Sequence, residues 1–374
     1  MAGIYLHIPF CKKACHYCNF HFSTSLQLRG EMVDGIAAEA VLQRNYLQGQ
    51  PVGTVYFGGG TPSLIGPEAV QRLLDVLRQH YDILPDAEIT LEANPDDLSP
   101  ESLRAFRETG VNRLSIGVQS FFEEDLKWMN RAHQAAQSIN CLKEARAAGF
   151  DNFSIDLIYG GPTLTDERWQ ANIRQAVELN IPHLSCYALT VEPGTALDHF
   201  IQHHKIPPID PDRAAKHFGI LMEALETAGY EHYEISNFAL PGNRSKHNSS
   251  YWQGKHYLGL GPSAHSFNGT SRQWNIANNP LYIQSIKKET VPFEIEMLSE
   301  SMALNEHIMI SLRTEAGCRL ETVAERFGAD KKSALLAASS EFIRKGWMRQ
   351  NDDRLTLTRE GKFFADGIAA ALFF

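Results

Sequence analysis

The chain has 374 residues, 43% hydrophobic and 21% charged, with a formal net charge of -9. That length exceeds a usual single core, so one large and one smaller domain are expected, and the composition is globular rather than disordered. The acidic balance argues against broad nucleic-acid binding, the opening MAGIYLHIPF lacks the basic flank of a secretory signal, and no run nears the roughly 20 apolar residues of a membrane span, so a cytoplasmic chain with reduced thiols is expected.

Short β-rich runs come first: IYLHIP, GTVYF, AEITLEA, NRLSIGV, NFSIDLIY, HLSCYALT and EHYEIS. Helical patterns lie between them, such as EAVQRLLDVLRQHY, PESLRAFRETG and AAQSINCLKEARAAG, the last two ending in the glycine of a helix stop. Strand–helix alternation implies parallel strands with right-handed crossovers. Six or seven such units predict a full or partial βα barrel of the TIM type, with a doubly wound sheet as the competing arrangement. The barrel is favoured because GGGTP, EANP, GVQSF, DLIYGGP and LTVEPGT all fall at or just past strand ends, the face on which barrels build their sites.

Three segments are expected: a barrel over 1–236, a Gly- and aromatic-rich connecting region over 237–299, and a smaller unit over 300–374. In the last, three helical patterns lead into a hairpin whose tip is NDD, followed by a terminal helix. This reads as a winged-helix-like module, and its mixed charge favours packing or partner contact over DNA reading.

The stretch CKKACHYCNF places Cys11, Cys15 and Cys18 within eight residues, while Cys141, Cys186 and Cys318 stand alone. A structural zinc site would normally need four protein ligands, and His16 or His21 is a conceivable fourth. A 4Fe–4S cube on three cysteines instead leaves one iron open to a small molecule, whereas electron-transfer clusters normally have four cysteines.

Cys-x3-Cys-x2-Cys after a first strand resembles the radical S-adenosylmethionine family. With YLHIPFC, CNF, FGGGTP, LEANP, SIGVQSF, NRAH and SIDLIYG in order, the chain looks like the branch containing oxygen-independent coproporphyrinogen III oxidase and its heme-chaperone relatives. The resemblance implies a 4Fe–4S cluster whose open iron chelates the methionine end of S-adenosylmethionine and delivers one electron to cleave it. It also implies roles for individual residues. Gly59, Gly60 and Thr61 line the nucleotide site, and Glu92, Gln119 and Asp156 bind polar groups of the cofactor. Arg131 meets its carboxylate through a rigid fork of donors, and Tyr5 lies near its sulfonium.

Two departures separate the chain from the oxidase pattern. Phe20 stands where that pattern has a further cysteine, and only ten residues precede Cys11. KHNSSYW, residues 246–252, is similar to the heme-chaperone branch, and its His247 is a candidate loop ligand for heme iron, with His256 and His265 next in line. The expected function is that of a heme chaperone handing heme to an acceptor hemoprotein, expected to be membrane-associated, with an electron donor serving the cluster. The competing activity is radical decarboxylation of coproporphyrinogen III; a nucleic-acid role through the wing is a distant third. The loop GGPTLTDE departs from close relatives, with no functional reading attached.

Overall fold

In the first strand, β1 (Ala2–Ile8), Ile4, Leu6 and Ile8 are fully buried on one face, while Tyr5 and His7 alternate onto the other. The structure is a computed structural model that describes residues 1–374. Alternation of strand and helix continues through α1 (Arg29–Leu42), β2 (Val52–Gly59), α2 (Pro67–His80), β3 (Ile83–Ala93), α3 (Pro100–Glu108) and β4 (Arg113–Gln119). Next come α4 (Glu123–Trp128), α5 (Ala135–Ala147), β5 (Phe153–Tyr159), α6 (Asp166–Glu178) and β6 (His183–Ala188). Helix starts are marked by side chains that accept from exposed N–H groups, such as Ser99 before α3 and Thr165 before α6.

β1 to β6 stand side by side in chain order, each parallel to the next. After α7 (Ala196–Gln202) and α8 (Pro211–Thr227), β7 (Glu231–Glu234) and β8 (Asn237–Ala239) add an antiparallel edge beyond β6. The run EHYEIS therefore does not supply a seventh parallel strand. That strand is β9 (Tyr257–Leu260), which follows α9 (Lys246–Trp252) and pairs parallel with the free edge of β1. Beyond it lie β10 (His265–Phe267) and β11 (Ser271–Asn275), then α10 (Asn279–Ile286) and β12 (Phe293–Met297), which pairs with β11. Residues 237–299 thus contribute five strands to the same sheet. The ladder has 12 strands and ends at β7 and β12, which do not pair, so the barrel is partial and open.

The C-terminal unit comprises α11 (Glu300–Leu312), β13 (Cys318–Arg319), α12 (Leu320–Phe327), α13 (Ala329–Arg344), β14 (Met348–Asn351), β15 (Arg354–Leu357) and α14 (Ala365–Ala371). β14 and β15 form the expected hairpin, and β13 adds a third strand along β15. A separate cluster of 15 buried apolar residues gives this unit its own core, distinct from the 56-residue cluster between the barrel strands and their helices.

Candidate metal centre and nucleotide cavity

Along the barrel strands, apolar residues that face the helices largely alternate with polar or small ones that face inward. Register aligns Thr54 with Glu88, Glu92 with Ser115, and Asp156 with Ser185 on the inner face. Val55, Leu91, Ile116 and Leu157 lie in the outer core. The inner chamber opens at the C-terminal strand ends into a cavity of about 1570 Å³, which extends to Trp347 and Phe363 of the C-terminal unit. Cys11, Cys15, Cys18, Gly59, Gly60, Thr61, Glu92, Gln119, Arg131 and Asp156 all line it.

The three cysteines are free thiols on the irregular segment after β1. That segment is tied down on several sides. Cys11 N–H donates to Ser23 O at 3.0 Å, His16 N–H to Met129 O at 3.2 Å, and Leu197 N–H to His16 O at 2.8 Å. Asn130 Nδ2 donates to Ala14 O at 2.8 Å. The loop is therefore shaped by neighbours before any metal arrives. His16 Nδ1 is bonded to Trp128 O and His21 Nε2 to Asn279 Oδ1, so each imidazole has one ring nitrogen engaged and the other free. No three His, Cys, Asp or Glu side chains converge as they would on a single ion. Cys11, Cys15 and Cys18 would instead hold a 4Fe–4S cluster, whose ligands are cysteine thiolates. Burial pushes the Cys11 thiol up to about 11, so binding metal there releases a proton.

A hydrogen-bonded chain joins the first two thiols. Thr61 Oγ1 lies 3.7 Å from Cys11 Sγ and accepts from Asn94 Nδ2 at 3.1 Å. Asn94 Oδ1 accepts from Arg131 Nη2 at 2.6 Å, and Arg131 Nη1 reaches Cys15 Sγ at 3.3 Å. Arg131 also donates to Gly117 O at 2.7 Å, but its Nε is buried without a partner and no carboxylate pairs with it. A guanidinium that lines a cavity without a counter-charge fits an incoming carboxylate. Across the chamber the situation is reversed. Burial raises Glu92 to about 7 and Asp156 to about 6, and neither has an ion-pair partner. Tyr56 Oη donates to Glu92 Oε1 at 2.8 Å. A ligand bringing an ammonium or hydroxyl donors would satisfy both acids. Gln119, buried with φ of 67°, follows a register shift between β4 and β5; such an irregularity re-aims a side chain.

The glycines of GGGTP are occupied by the protein itself. A Cβ on Gly59 would lie 2.7 Å from the His7 ring, and one on Gly60 would lie 2.6 Å from Phe10 O. Gly60 and Thr61 N–H groups bond Ile8 O and Phe10 O, so this turn is knit to the root of the cysteine loop. Close chain packing, as well as the cavity beyond, demands small residues here.

Two expected contacts lie elsewhere. Tyr5 does not line the cavity; its ring is stacked on Tyr56 and its hydroxyl lies 3.1 Å from His7 Nδ1. His247 is not on an accessible loop but in α9, which closes the bottom of the barrel, and it is 1% exposed. Its Nδ1 pairs with Thr54 Oγ1 at 2.8 Å and its Nε2 with Tyr251 Oη at 2.9 Å, leaving no free nitrogen for iron. Glu88 draws it in, accepting from the N–H groups of Lys246 and His247 at the start of α9. Burial lowers the imidazole to about 3. Asn94, Tyr17 and Tyr56 were not singled out from the sequence; the position of Asn94 in EANP, just past a strand end, was the available signal.

Comparison with known proteins agrees with this architecture. A family model described as the radical SAM superfamily matches residues 5–203, and one described as the HemN C-terminal domain matches residues 298–364. Proteins named heme chaperone HemW are similar from end to end. The Mycobacterium tuberculosis protein is 35% identical, covering 99% of this chain and 94% of its own length. The Bacillus subtilis protein is 32% identical, with 99% of each covered, and the Escherichia coli protein 34% identical, with 98% and 96% covered. The solved structure of Escherichia coli coproporphyrinogen III oxidase (HemN), described as a radical SAM enzyme, shares the fold with a TM-score of 0.87 at 24% identity, over 100% of this chain and 90% of that one. The chain therefore belongs to the radical SAM superfamily, in its HemW family, and this membership implies a 4Fe–4S cluster and S-adenosylmethionine.

Proposed function

We propose that this protein is a heme chaperone, which binds heme and passes it to an acceptor hemoprotein. The observation that carries the reading is end-to-end likeness to proteins named heme chaperone HemW. Phe20, 65% exposed where the oxidase pattern has a cysteine, supports it. Cys11, Cys15 and Cys18 would hold the cluster, which when bound supplies one electron to the sulfonium of S-adenosylmethionine. Arg131 orients the carboxylate of that molecule, and Glu92, Gln119 and Asp156 receive its ammonium and hydroxyl donors. Gly59, Gly60 and Thr61 form the adjoining wall. No helix is long and apolar enough to cross a membrane. We place the protein in the cytoplasm, touching a membrane-associated acceptor from outside the bilayer and served by a separate electron donor.

The test is a paired assay on anaerobically reconstituted protein. Heme binding is followed by absorbance titration, and conversion of coproporphyrinogen III is measured in the same preparation. Saturable heme binding without product is expected. Turnover of coproporphyrinogen III, or no heme binding, would overturn the reading.

A further inference from the structure

A second cavity, of about 260 Å³, lies at the seam between the C-terminal unit and the β7–β8 edge of the sheet. It shares Ile235, Arg313 and Lys362 with the large cavity, so the two adjoin across these side chains. Arg313, Arg349 and Lys362 give its walls a basic character, although Glu234 and Glu315 also line it and His232 is neutral there. Glu315 is committed, pairing with Arg244 Nη2 at 2.6 Å, and Glu234 is engaged through Oε1 alone, which accepts from Asn237 and from Ser236 N–H while its buried Oε2 has no partner.

The cations are less fully used. Arg313 pairs with Asp366 and lies 5.5 Å from the Trp252 ring, but its Nε is buried without a partner. Lys362 has no carboxylate partner; its Nζ meets only His232 Nδ1, at 2.8 Å. Arg349 stands exposed on β14. Beside this seam the large cavity is walled by flat apolar groups. Trp347 and Phe364 stack at 4.5 Å between centroids, and Phe363 and Phe364 are 40% and 48% exposed. Aromatic faces left open next to unpaired cations suit a flat amphipathic ligand with acidic arms.

We propose that the seam is a carboxylate subsite. Lys362, Arg349 and Arg313 hold the propionate arms of a tetrapyrrole whose macrocycle lies against Trp347, Phe363 and Phe364. This inference rests on the heme reading above and deepens it, since it places the ligand at the domain seam rather than at His247. Each carboxylate gains charge-assisted hydrogen bonds from Lys362 and Arg349, which otherwise lack an anion, with the unpartnered Nε of Arg313 beside them.

The experiment compares heme with its dimethyl ester, titrated anaerobically into cluster-loaded protein. The wild type should bind the free acid at least about tenfold more tightly than the ester, the effect of one or two hydrogen bonds to charged groups. Lys362→Met with Arg349→Ala should remove that preference by weakening acid binding alone, with the cluster absorbance unchanged. Arg349→Ala by itself, on an exposed strand, should reduce the preference in part and serves if the double variant fails to fold. Equal binding of acid and ester by the wild type, or an unaltered preference in a folded variant, overturns the subsite and leaves the chaperone reading standing. Failure of the wild type to bind either compound overturns both.

Discussion

At the scale of the residue, the site is organised by charges that lack counter-charges. Arg131 is fixed by Cys15, Tyr17, Asn94 and Gly117 and has no carboxylate beside it, which leaves its charge without a counter-charge at the cavity wall. Arg131→Lys keeps the charge but not the fork, and S-adenosylmethionine affinity, measured by anaerobic calorimetry, should fall at least about tenfold. Unchanged affinity would remove Arg131 from that role. His247 has the opposite character, with every ring nitrogen engaged. His247→Ala leaves the Thr54 and Tyr251 hydroxyls without their partner and opens a hole under the barrel. A loss of about 2–4 kcal/mol in urea unfolding is expected, together with an unshifted Soret band in the folded fraction. A shifted band at full stability would restore His247 as the iron ligand.

At the scale of the element, the cysteine loop and the GGGTP turn behave as one piece. Because a Cβ on Gly60 would press on Phe10 O at 2.6 Å and Phe10 N at 2.8 Å, Gly60→Ala must displace the chain just before Cys11. Destabilisation of about 1–3 kcal/mol and a fall in iron and sulfide per chain are the expected results. Gly30→Ala in α1, where nothing lies within 4 Å, is the control and should leave iron content intact. If both variants load iron equally, the coupling between turn and loop is absent. The same scale explains two misplacements. EHYEIS is a good strand, but it pairs antiparallel at an edge; YLGL is short and glycine-bearing, yet it joins the parallel set. Gly259 is small because a Cβ there would meet His265 O at 2.1 Å, a demand made by the return of β10 and invisible locally.

At the scale of the whole molecule, burial of neutral histidines ties stability to pH. Burial lowers His7, His133 and His307 to about 4, and His232 and His247 to about 3. Each lies below its unfolded value, so its contribution is complete above about pH 6.5 and is lost as pH falls through the folded value. Glu92 and Asp156 act in the opposite sense: raised to about 7 and about 6, they cost stability as pH rises. Five histidines outweigh two carboxylates in the shared window. The Tm of cluster-free protein should therefore fall between pH 7 and pH 5; a flat or rising Tm would show that these imidazoles titrate normally.

The sequence by itself determined the chemistry that is local in the chain. Three thiols on one short loop announce a cluster because their spacing alone brings them together. Stretches such as EITLE and SIDLI carry the period-two alternation that puts carboxylates inside the barrel and aliphatic residues outside. Only the tertiary structure decided what depends on distant partners. β9 closes against β1 because sheet pairing is non-local, and a four-residue strand carries little signal of its own. His247 is withdrawn because Thr54 of β2 and Glu88 of β3 meet it beneath the barrel. The basic seam exists because folding sets Arg313, Arg349 and Lys362 around one small space, and no spacing along the chain encodes that encounter.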